Sequence, residues 1–127
     1  MKRFKFSLEP LRVLREQNER TAQQRHAKAL VACKTAEANL QAAIKKLTEG
    51  WEYLASEQTA GISAGKILGT RSWCLVLEIQ KHERAAALID AREIAERTLK
   101  EMLEAMRERE GLDRFRDKSQ RAHEYAF

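Results

Sequence analysis

The sequence predicts an all-α chain, a single long antiparallel two-helix coiled-coil hairpin, and three observations predict it. Ala, Leu, Glu, Lys, Arg and Gln, the strongest helix formers, abound among the 127 residues. Only one proline and five glycines interrupt them, and aromatic residues are 6% of the chain. A β or α/β fold needs more turn residues and more strand-forming side chains than that. Finally, Cys33, Ala36, Leu40, Ala43 and Leu47 recur in alternating steps of three and four, the spacing of a helix that meets a partner along a narrow seam.

The elements follow in order. Ser7 stands as N-cap with Pro10 in the first turn, where a missing N–H costs nothing. From there the chain reads helical over about residues 8–58. Trp51 and Leu54 continue the stripe, while upstream Leu11 and Leu14 lead into Asn18 and Ala22, a poorer seam. So thin an apolar stripe holds nothing by itself and needs a second helix. Gly61, Gly65 and Gly69, set among Ser and Thr, mark a bend over about 59–70. A second helix follows over about 71–120, with Leu88, Ala91, Ala95, Leu99, Met102 and Met106 as its stripe. One residue of slippage near Ala95 reads as a stutter. Glu93 with Arg97, Glu96 with Lys100 and Glu110 with Arg114 are acid-first pairs suited to an exposed helix face. Gly111 is a weak point, and residues from about 121 to 127 form a frayed tail.

Two helices of similar length on either side of a short connection favour folding back into one monomeric hairpin bent near residue 64. Cys33 then faces about residue 95 and Cys74 about residue 54, which sets the sulfurs about 30 Å apart along the axis. A disulfide tolerates Cα separations below about 7 Å, so both cysteines read as free thiols of a reducing compartment.

Several function classes drop out. The longest apolar run, Trp73 to Leu77, is far too short to cross a bilayer. A basic start, Met1 to Phe6, has no apolar segment behind it as a secretory signal would, which places the chain in the cytoplasm. Gly61 to Ile67 departs from a phosphate-binding loop, with three residues between Gly61 and Gly65 and no hydroxyl residue after Lys66. His26, His82 and His123 are scattered without partners at ligand spacing, so no metal, cofactor or small-molecule substrate is expected. Every acidic residue sits in a mixed-charge, helix-surface context, and the chain reads as no enzyme. Nine basic and three acidic residues precede Thr35, so the whole net charge of +5 lies at the N-terminal end. Such a bias suits an acidic partner, a phosphate-bearing one or an anionic membrane surface.

Trp51, Tyr53, Trp73 and Leu77 gather the bulkiest side chains toward the bend. They form either a core plug that locks the register or an exposed patch that docks a partner, since Trp and Tyr dominate interface hot spots.

Phe4 to Glu16, FKFSLEPLRVLRE, resembles the opening of the FliJ family of flagellar type III export proteins. The likeness extends to Cys33 to Leu40, and to Gly61-Ile62 followed by the aromatic Trp73 and then Leu77. It covers most of the chain in layout; the C-terminal part departs, with only Gln120 to Tyr125 in place of a longer charged segment. The resemblance implies a hairpin similar to the central stalk of rotary ATPases. Its paired ends would engage a hexameric export ATPase, and its bend would reach a membrane export gate through Trp73 and Leu77. Export chaperones are further implied partners, and the implied location is the inner face of the cell membrane. Leu11, Arg12, Leu14, Arg15 and Arg20 are then the expected ATPase-facing residues, against the plainer reading of a solvated charged face.

Three alternatives stand beside this one. The same stalk could serve a virulence-type secretion system. A generic tether would self-associate, its helices running past the glycines. A basic nucleic-acid binder would use the N-terminal charge, but acidic residues interleave with it and no aromatic alternates with the basic side chains, so nucleic acid is not expected.

Overall fold

A computed structural model describes residues 3–126. Helix α1 spans Glu9–Thr59 and α2 spans Ala64–Ala126, and the two long helices pack against each other as an antiparallel hairpin. The first intrahelical bond runs from Arg12 N–H to the Leu8 carbonyl at 2.9 Å. The cap is therefore Leu8 rather than Ser7, and Pro10 lies in the first turn, where its missing N–H would have had no partner.

The bend is much tighter than its glycines suggest: residues 60–63 alone separate the helices. Gly61 takes a φ of 71°. Its N–H donates to the Gln58 carbonyl and that of Ile62 to the Glu57 carbonyl, the two bonds of a left-handed helix cap that a side chain at residue 61 would strain. The Ser63 carbonyl accepts from Ile67 N–H at once, opening α2. Gly65 and Gly69 are helical. Glycine weakens a helix without forbidding it, and here packing decides.

The chain forms two contact units. A bend unit comprises Leu30–Ile94, and a terminal unit pairs the chain up to Ala29 with the chain from Ala95 onward. In the bend unit the seam of α1 runs through Cys33, Ala36, Leu40, Ala43, Leu47, Gly50, Leu54 and Glu57, all buried or half-buried, and continues the three–four spacing without a break. Cys74, Leu77 and Leu88 are the buried residues of α2. Trp51 lies outside this seam; Gly50 takes the place expected for it. A Cβ on Gly50 would stand 3.0 Å from Leu77 Cδ1 and 3.3 Å from Cys74 Sγ, so this glycine is the notch that lets the helices close. Both cysteines are free, and Cys74 is wholly buried.

In the terminal unit the seam is polar. Arg12, Arg15, Glu19, Ala22, His26 and Ala29 hold the same spacing, whereas Leu14 and Asn18 face outward. On α2, Thr98 carries the seam past Ala95, and Leu99 is exposed. The expected stutter is absent, because a threonine that hydrogen-bonds both the Ala95 carbonyl and His26 Nδ1 holds the position. The helix continues through Gly111 to Ala126, and the segment before α1 packs on it: Phe6 lies 5.9 Å from Phe115 and Phe4 5.5 Å from His123, centroid to centroid.

Two glycines should respond oppositely to substitution. Gly50→Leu forces a side chain into the notch and should cost about 1–3 kcal/mol by overpacking. Gly111→Ala, with nothing within 4 Å of its Cβ, should stabilise by about 0.5–1 kcal/mol through helix propensity. Urea denaturation of the two variants reads both signs.

Candidate functional site

In the bend unit, α1 and α2 do not close completely. Gly50 and Gly69 remove two side chains, and an open groove of about 790 Å³ remains between the helices. Tyr53 and Trp73 form its aromatic walls, Leu77 and Thr70 lie deeper, and Lys46, Glu49 and Lys66 add charge. Trp73 is 55% exposed and Tyr53 61%. The core-plug reading therefore fails for these two rings, since a two-helix seam is too thin to bury them. Leu77 behaves differently. At 4% exposure it belongs to the seam beneath Gly50, and it supports the groove without offering itself to a partner. Trp51 leaves the cluster altogether, lining a separate, smaller recess with Leu54, Gln58 and Arg71.

Glu57 was not legible in the sequence as a site residue. It takes the last seam position before the bend, is only 7% exposed, and lines the groove. Its Oε1 is shut off from solvent and has no hydrogen-bond partner among the described residues. A signal existed: an acid stands where the three–four spacing from Leu47 and Leu54 calls for an apolar side chain. A second unread feature is a row of exposed apolar residues on α2, Leu68, Leu75 and Ile79, at seven- and four-residue spacing.

The expected ATPase-facing residues divide. Arg12 turns across to α2: its Nε donates to Asp113 Oδ1 at 2.9 Å, while its other nitrogens pair with Glu9 and Glu16. Arg15 donates to Glu108 at 2.7 Å. Arg109 completes the cluster with a forked contact to Glu19 at 2.7 and 3.3 Å and a bond to Asp113 at 3.1 Å. The Asp113 hydrogen bond raises the Arg12 pKa. Burial alone would push the Asp113 carboxyl up, but hydrogen bonds from Arg109 and Arg12, with their charges, hold it below its ordinary value. Thus Arg12 and Arg15 bridge α1 and α2 within the terminal unit. Leu11 is half-buried, whereas Leu14 and Arg20 are exposed, and Arg20 forms no ion pair among the described residues. No described helix is long and apolar enough to cross a membrane. The chain matches no family model, no curated protein and no solved structure, so its own geometry carries the functional reading.

Proposed function

We propose that the chain is a non-enzymatic stalk of the flagellar type III export apparatus, peripheral to the inner face of the cell membrane. Its terminal unit stimulates a hexameric export ATPase, and its bend unit docks on the membrane export gate. Export chaperones are further partners. The observation that carries this reading is Trp73, a large aromatic left half-exposed beside an open groove in the bend unit. An exposed ring flanked by a recess is the usual anatomy of an interface anchor, and the FliJ resemblance expects an aromatic contact at this position. The opening segment, Phe4 to Glu16, supports the reading from the other unit.

Arg12 and Arg15 are poor probes of the ATPase contact, because each is already paired with an acid of α2, so its removal changes the terminal unit as well as any contact. Arg20 and Trp73 test the two contacts separately. The full chain should capture the export ATPase and the gate protein from the native cell extract. Trp73→Ala should lose the gate protein and keep ATPase stimulation; Arg20→Glu should do the reverse. Capture of neither partner by the unaltered chain would end this reading.

A further inference from the structure

Helix α2 carries a second seam besides the one it presents to α1. Cys74, Leu77 and Leu88 are its buried residues, whereas Ser72, Leu75, Ile79, His82, Ala86 and Ile89 are all exposed. These six follow one another in alternating steps of three and four, and Leu68 extends the row by four more. Leu68, Leu75, Ile79 and Ile89 are between 52% and 62% exposed. Single exposed apolar residues are ordinary; a row in heptad register is the pattern of a helix that meets another. Cys74, Lys81 and Leu88 repeat every seven residues, as Leu75, His82 and Ile89 do, so one left-handed supercoil serves both seams.

The row is complementary to itself when reversed. About a two-fold axis level with Gln80 and Lys81, Leu75 meets Ala86 of the other copy, Ile89 meets Ser72, and Ile79 meets His82. The larger aliphatic of each layer then faces a small or flat side chain, the alternation that fills a seam. Parallel pairing would stack Ala86 on Ala86 and face Glu78 of each copy with Glu83 of the other. Antiparallel pairing slipped by one heptad either way sets Glu78 against Glu78, or Glu83 against Glu83, at the axis. In the unslipped register Glu78 faces Ala85 and Glu83 faces Val76; only Arg71 and Arg92 meet a like charge, at the ends. Size and charge agree on one arrangement.

We propose that two copies of this chain pair through this face, α2 against α2 and antiparallel, with each hairpin intact. The contact lies within the bend unit and does not use Trp73. It stands independently of the export reading. Its six layers span about 25 Å at 1.5 Å per residue, a short contact of the weak, transient class.

The test is sedimentation of the full chain under reducing conditions from about 10 to 500 µM, where a weak interface becomes populated. The unaltered chain should pass from monomer to dimer across that range. Ile79→Glu should stay monomeric throughout while keeping its helicity and urea midpoint. Val31→Glu places the same charge at a 64% exposed site on α1 and should dimerise like the unaltered chain. His82→Leu makes the polar central layer apolar and should tighten the dimer about tenfold or more. In a mixture of isotope-labelled and unlabelled chains, Leu75 methyls should show intermolecular contacts to Ala86. An unaltered chain that stays monomeric leaves the face to a different partner and overturns the proposal. Equal loss in Ile79→Glu and Val31→Glu, or Leu75 contacting Leu75 in place of Ala86, overturns it as well.

Discussion

Leu77→Ala should lower the stability of the hairpin by about 2–5 kcal/mol, the range for removing a buried leucine whose surroundings relax only partly. The side chain is 4% exposed, and its Cδ1 fills the space above Gly50, which has no side chain of its own to close a void. Trp73→Ala, four residues away, should change stability by about 0.5 kcal/mol or less, as surface substitutions do. Urea unfolding with unchanged slope and a lowered midpoint for Leu77→Ala alone is the expected result. A loss of partner binding in a Trp73/Leu77 double variant would therefore mix two causes, and only the tryptophan variant isolates the contact.

Arg109→Glu should open the terminal unit while sparing the bend unit. The wild-type guanidinium is forked onto the buried Glu19 and also holds Asp113; glutamate in its place leaves Glu19 unpartnered and sets like charges together. Hydrogen exchange should show protection lost around residues 12–26 and 98–116 and retained around 40–54 and 74–88. The pH dependence should change sign as well. In the wild type, the folded state holds the Asp113 pKa below its unfolded value, so the folded form binds fewer protons. That stabilisation is complete above about pH 4 and is lost as pH falls through the folded-state value. In the variant, acidification from about pH 6 towards 4 neutralises crowded carboxylates and should restore protection instead.

The fold was legible because composition and spacing agree. Few breakers, one glycine cluster and a three–four stripe from Cys33 to Leu47 leave little besides a hairpin. The register was harder to read. An apolar template prefers Leu11, Leu14 and Trp51, whereas the seam takes Arg12, Arg15 and Gly50. Both departures have one physical origin: a seam position tolerates a charge when an opposite charge faces it, as Asp113 faces Arg12, and tolerates a glycine when a leucine from the other helix fills the gap. Such compensation depends on residues far apart in the chain, 101 positions for Arg12 and Asp113. Trp73 was visible as a site candidate because tryptophan is conspicuous; Glu57 was not, because one more glutamate in so charged a sequence draws no notice until its burial is known.

Cys74 lies in the seam with no solvent exposure, against the backbone of Gly50, while Cys33 is only half-covered. An alkylating reagent must wait for the helices to part before it reaches the first sulfur, but not before it reaches the second. The molecule thus contains its own stopwatch for breathing motions, with an internal reference thiol in the same unit.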